Sequence, residues 1–229
     1  MNFSDSTPPV VDRLVRSRRR SIGLEIRHDG GLIVRAPHFV SNSEIERIIT
    51  SKQTWIRKKQ EAALERMKLK TGRSFTSGEK LPYLGSEYEL VVEEREGEPL
   101  ILDGRFMLSK SHSSRARELF RAWYIRRAGE VFEERTRELA RQAGVKYGKV
   151  SISNARGRWG SCGPSGNLRY NWRVVMAPIE VVDYLVAHEI SHIRVKNHSK
   201  DFWKMVALLC PEYPIRRKWL RKSGHLLDL

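Results

Sequence analysis

Residues 187–203 read AHEISHIRVKNHSKDFW and hold His188, His192 and His198, three of the seven histidines in the chain. Val181, Leu185, His188 and His192 fall at offsets of 0, 4, 7 and 11, the spacing of one helix face. Pro178 suits a first helical position and Glu180 suits a first turn, so the helix is expected to begin there. It must end near Val195, because a helix cannot bring His198 back beside His188, ten residues earlier. Asn197 tolerates the left-handed conformation that ends helices, and Ser199 or its neighbour can cap a second helix over about 199–210. That second helix carries Phe202, Val206 and Leu209 on one side.

Residues four apart on a helix lie about 5–6 Å apart at their β-carbons. Two imidazoles at that spacing can share one ion, each nitrogen about 2.0–2.1 Å from zinc. Glu189 follows the first imidazole and points about 100° round the helix. There it can take a proton from a metal-activated water and pass it to a leaving amine. This is the H-E-x-x-H arrangement of zinc peptidases. A catalytic zinc has three protein ligands and one open position, and His198 is the local candidate for the third. The competing reading is a pair of helix-face histidines satisfied by hydrogen bonds, beside a surface glutamate. The spacing of the three histidines also fits the metzincin pattern. Val195 stands where that pattern needs glycine, and Met205 sits in a helical apolar pattern rather than a Met-turn, so that class is excluded.

The chain has 229 residues, 40% hydrophobic and 31% charged, which reads as soluble and globular. No apolar run approaches the ~18 residues of a membrane helix, and MNFSDSTPPVVD lacks the basic start and apolar centre of a signal peptide. Two cysteines, Cys162 and Cys210, make no disulfide framework. A cytoplasmic location and no membrane partner are expected. The net charge of +16 and pI near 10.2 attract polyanions, so DNA contact through the basic surface is one expectation. A basic solvated surface without a specific partner is the other, since no glycine-aromatic RNA motif or paired-cysteine finger accompanies the charge.

Before the histidine helix the pattern alternates between strands and helices. Residues 1–12 read as a flexible tail. LEIRHDGGLIVRA reads as a hairpin about His28-Asp29-Gly30-Gly31. Residues 43–67 read as helix, with Ser43 and Glu46 as a capping box and Ile45, Ile48, Ile49, Trp55 and Ile56 as its apolar stripe. Strands are expected between 73 and 109, with a turn at Asp103-Gly104, then a helix over about 112–143 stopped by Gly144. Two further strands, 149–154 and 167–175, flank the glycine-rich loop ARGRWGSCGPSG. The class is α+β.

The run RGRWGSCGPSGNLRYNWRVVMAPIEVVDYLVAHEISHIRVKNHSKDFW resembles the YgjP-like metallopeptidase family, which is related to SprT-like and WLM zinc proteases. The resemblance rests on Arg156 to Cys162, Gly166 to Asn171, the histidine helix and Asn197 to Trp203, with Trp55-Ile56 and the Leu84-Gly85 turn following the family's order. It covers about 13–225 and is strongest over 156–203. It implies that His188, His192 and His198 hold one Zn2+ per chain and that Glu189 is the general base. It also implies a single domain over 13–227, with a β-rich half over 13–110 and a zinc-site half over 111–227. The second half would be a minimal gluzincin-like core, a small sheet over the histidine helix.

The expected function is a zinc-dependent metallopeptidase acting on protein or peptide through a metal-activated water. One alternative is a nucleic-acid-associated protein whose protease site is regulated by, or directed to, DNA-bound proteins. Another is a non-catalytic zinc module in which Cys162 closes the fourth metal position. The strand over 167–175 could add an extended peptide along the cleft. Trp159 and Trp172 are then either peptide contacts or core aromatics. Arg158, Arg173 and Tyr170 could serve an oxyanion or a carboxylate, or be structural. Asp183, five residues before His188, is poorly aimed to support a ligand, and His225 reads as solvent-facing.

Overall fold

The structure, a computed structural model, describes residues 9–27, 29–69 and 73–229, with the side chains of 65–69 outside that description. Residues 1–8 of the expected tail over 1–12, and His28 of the expected hairpin turn, lie outside the described residues. The chain divides into two compact units, 1–72 and 73–229.

The first unit contains strands β1 (Arg13–Ser17), β2 (Gly23–Ile26) and β3 (Leu32–Pro37) and helices α1 (Asn42–Ser51) and α2 (Gln53–Leu69). The sheet order is β1-β3-β2. β2 and β3 form the expected antiparallel hairpin, tied by the Arg27 N–H to the Gly31 carbonyl at 2.8 Å. Alternation along β3 buries Leu32, Val34 and Ala36 against Ile45, Ile49 and Ile56. Trp55, expected in that stripe, is exposed. The N-cap of α1 is Ser41 rather than Ser43, since the Ser41 Oγ accepts from the Glu44 N–H at 3.2 Å. Ser41 and Glu44 carry the same S-x-x-E spacing two residues earlier. The expected single helix over 43–67 is broken at Lys52. There Thr50 and Ser51 turn their hydroxyls onto the Glu46 and Ile48 carbonyls.

In the second unit, β4 (Lys80–Tyr83), β5 (Ser86–Glu93), β6 (Leu100–Asp103) and β7 (Arg105–Ser109) make a sheet of order β4-β5-β7-β6. A short 3-10 turn leads into α3 (Ala116–Ala143), which Gly144 ends at φ 59 as expected. Strands β8 (Val150–Ser153), β9 (Gly160–Cys162) and β10 (Leu168–Asn171) form a second sheet of order β8-β10-β9. Helices α4 (Ile179–Arg194), α5 (Lys200–Leu209) and α6 (Tyr213–Ser223) follow. One apolar core joins both sheets to α3 and α4. Phe106 meets Phe120 and Trp123 edge-on at 5.0 and 4.9 Å, and Phe132 stacks on Tyr170 at 4.3 Å.

Two expectations around the second sheet are corrected. The strand over 167–175 stops at Asn171, whose side chain accepts from the Arg173 N–H and donates to the Ala155 and Arg158 carbonyls. These bonds turn 172–176 into a 3-10 segment. The glycine-rich loop contains β9, antiparallel to β10. Three residues, Gly-Ser-Cys, are too few to print an alternating pattern. β10 is therefore central, and β9 is an edge.

The Leu84-Gly85 turn fixes where α4 starts. Both residues take positive φ, 48° and 88°, and the Leu84 N–H donates to the Val175 carbonyl at 2.8 Å. A β-carbon on Gly85 would stand 3.0 Å from the Cα of Pro178. Pro178 is the N-cap of α4 rather than its first helical residue. Gly85→Ala combines a strained φ with a backbone clash and is expected to cost about 1–3 kcal/mol, read as a lowered midpoint in urea unfolding.

Candidate metal centre

Helix α4 is buried along most of its length: Val181, Val182, Tyr184, Leu185, Val186, Ala187, Ile190 and Ser191 all lie inside. Packing therefore sets the rotation of the helix, and with it the direction of His188 and His192. Their ring centroids are 4.9 Å apart. The chain then leaves the helix at Val195, which is extended (φ −124°, ψ 105°). Among the described residues, Asn197 is not in the left-handed region expected of it. Its Oδ1 instead accepts from the Ser199 N–H at 3.2 Å, and Ser199 caps α5 through the Phe202 N–H. The reversal brings His198 back to α4.

The three rings converge. The Nε2 atoms of His188 and His198 are 3.2 Å apart, and one ring nitrogen from each of His188, His192 and His198 lies within 4.8 Å of the others. Two nitrogens about 2.0–2.1 Å from a tetrahedral zinc would stand about 3.3 Å apart, so this donor set fits a divalent ion held by imidazoles. His192 Nδ1, assigned as the donor, faces the Val195 carbonyl at 3.1 Å, which leaves Nε2 for an ion. His188 Nδ1 is buried with no hydrogen-bond partner. Burial, then the neighbouring His192 and His198, lowers the His188 pKa to about 3, and burial also lowers that of His192. Both rings are thus held neutral, as metal ligation requires. His198 is the exposed member and opens the site to solvent.

Phe202 is the floor that sequence reading assigned only to an apolar stripe. It is fully buried, with its ring 4.9, 4.5 and 4.8 Å from those of His188, His192 and His198. Trp203 stacks beside His198 at 5.8 Å. Glu189, only 4% exposed, lies against β9: a β-carbon on Gly160 would stand 2.4 Å from Glu189 Oε1. Burial pushes the Glu189 carboxyl up to about 7. The need for glycine at 160 could not be read without knowing that a carboxylate fills its missing side chain.

The other sequence candidates separate clearly. Cys162 is half-buried, outside the three-histidine group, with its Sγ against the Gly163 carbonyl at 3.5 Å. Tyr170 is core, its hydroxyl bonded to Thr136 at 3.1 Å. Trp172 is buried, whereas Trp159 is half-buried and packs toward Gly224. Arg173 pairs with Asp228 at 2.9 Å and covers the Trp172 ring, and Arg158 is exposed. Asp183 is held by Arg135 through two bonds of 2.5 and 2.8 Å, so it does not support a ligand. His225 is exposed. Among the described residues, no helix is long and apolar enough to cross a membrane.

The family model for the YgjP-like metallopeptidase domain matches residues 20–223. No curated protein matches the chain. Two solved structures are similar to part of it. The metallopeptidase zymogen abylysin of Pyrococcus abyssi is 20% identical, covering 42% of this chain and 94% of its own, with a TM-score of 0.37. The metallopeptidase zymogen jannalysin of Methanocaldococcus jannaschii is 21% identical, covering 40% and 95%, with a TM-score of 0.34.

The buried Glu189 carboxyl has a pH signature. Its raised pKa means that the folded chain binds the proton more tightly than the unfolded chain. Its contribution to stability is present below the ordinary glutamate pKa and is lost as pH rises through about 7. His188 acts oppositely, its contribution being lost as pH falls from about 6.5 toward about 3. In the metal-free chain, Glu189→Gln is therefore expected to gain stability relative to wild type as pH is raised from 4.5 to 8. Urea unfolding at a series of pH values measures the difference, and a pH-independent difference would contradict the burial.

Proposed function

This chain belongs to the YgjP-like metallopeptidase family, and we propose that it is a zinc-dependent peptidase whose metal is held by His188, His192 and His198, with Glu189 as general base. The observation that carries this reading is the convergence of three imidazole nitrogens within 4.8 Å, beside a buried carboxylate on the same helix. A zinc ion held by His188, His192 and His198 would supply Lewis acidity for the scissile carbonyl and the attacking water. Glu189, buried on the same helix as two of the ligands, accepts the proton from that water and returns it to the leaving amine. Gly160 keeps the space that the carboxylate occupies.

Substrate binding in this reading falls to β9, not to the strand over 167–175. β10 has partners on both sides, whereas β9 pairs with β10 alone among the described strands and lies beside Glu189. An extended peptide adds to that edge by main-chain hydrogen bonds. The small sheet β8-β10-β9 with α4 is the minimal gluzincin-like core of the proposal. We take 13–227 as one functional domain, supported by a family match that runs through both compact units. A reducing, cytoplasmic setting is supported by two free cysteines.

Protein purified without a chelator or metal-affinity step is expected to carry about one zinc per chain, and His192→Ala to lose it. Glu189→Gln is expected to keep zinc and fold while hydrolysis of unfolded casein falls by roughly 10²–10⁴-fold. No metal in the wild-type chain, even after zinc is added at neutral pH, would overturn the proposal. Gly160→Ala is expected to retain zinc but lose at least about tenfold in kcat/KM, because its methyl displaces the Glu189 carboxylate.

A further inference from the structure

Helix α6 places a cation at the rim of the histidine site. Its first turns carry Arg216 and Arg217. Arg216 is committed to Glu212 at 2.5 Å, and Asp201 of α5 is committed to Lys204 at 3.1 Å. Arg217 makes no ion pair among the described residues. Its guanidinium lies over the Trp203 ring, 4.5 Å from the centroid. Trp203 in turn stacks on Tyr213 at 5.2 Å and on His198 at 5.8 Å. The field of the guanidinium reaches His188 and the Tyr184 hydroxyl. The charge of Lys196 bears on His192 and Cys162.

Cation–π attraction holds a guanidinium over an indole face while its N–H groups stay available to an anion. Those groups match a carboxylate in a bidentate fork. Arg217 is exposed and sits over the ring that packs beside His198.

We infer that Arg217 is a specificity-determining residue that binds a carboxylate of the peptide substrate, so that acidic peptides are cleaved in preference to neutral ones. The inference rests on the peptidase reading above. The carboxylate is either an Asp or Glu side chain near the scissile bond or the free carboxyl terminus of the peptide, and the two present the same chemistry to the fork.

The test uses the full zinc-loaded chain and quenched fluorescent peptides. One Glu is walked through the three positions on each side of the scissile bond and compared with a Gln twin, each made with a free or an amidated carboxyl terminus. The wild-type chain is expected to show a kcat/KM ratio of about 10–100 for Glu over Gln at one position. That ratio falls to near one in Arg217→Gln, chiefly through KM, and is partly kept in Arg217→Lys. A ratio that appears between free acid and amide instead identifies the terminal carboxylate as the bound group. Because both twins meet the same site, a merely structural loss in the variant leaves the ratio unmoved. Ratios near one throughout in wild type, or an unchanged ratio in Arg217→Gln, overturn the inference. Failure to cleave any peptide overturns the peptidase reading instead. Arg217 is then decided by fluorescence anisotropy of the same labelled peptides on the zinc-loaded chain, where loss of the Glu preference in Arg217→Gln supports it and no preference in wild type rejects it.

Discussion

The burial of α4 is the constraint on which the second unit depends. A helix hidden on most of its surface cannot rotate without emptying core positions, and core packing resists voids of even a methylene. Val181, Val182, Leu185, Val186, Ala187 and Ile190 thus act together as a key that admits one orientation. His188, Glu189 and His192 inherit that orientation. The two imidazoles emerge together, and the carboxylate between them turns inward against β9. The chemistry at the end of the helix is aimed by the packing of the apolar residues along it.

The price of the inward turn is a carboxyl group in an apolar setting. An ordinary surface glutamate would be a weak proton acceptor at neutral pH, and a fully exposed one would be free to swing. Burial raises its pKa, and its carboxylate fills the space that a side chain at Gly160 would take. Phe202 plays the complementary part beneath the imidazoles. Its ring lies against all three and offers them apolar support without competing for the nitrogens.

Much of this was legible in the sequence because the signals were local. The 3.6-residue period located α4, the histidine spacing located the ring cluster, and Gly144 and Asp103-Gly104 marked their turns. The α+β class followed from the same patterns. What was not legible depended on contacts between distant segments or on choices between equivalent local signals. The N-cap fell to Ser41, two residues before the Ser43 that the capping-box pattern picked out. β9 is three residues long and owes its existence to β10. The Val195 carbonyl became a partner for His192 through an extended backbone that no residue type announces. Arg217 was one of many basic residues until Trp203 fixed its place.

The cluster is built asymmetrically, and that has a thermodynamic consequence. His188 and His192 belong to a buried helix, whereas His198 is exposed and sits on a five-residue link between Arg194 and Lys200. An ion bound by all three would staple that link to the helix and tie α5 to α4 at their near ends. Binding free energy would then be partly spent on ordering one short segment. Amide exchange along 195–199 would slow with occupancy while the interior of α4 stayed as protected as before, so the backbone of the link would act as a local gauge of metal saturation.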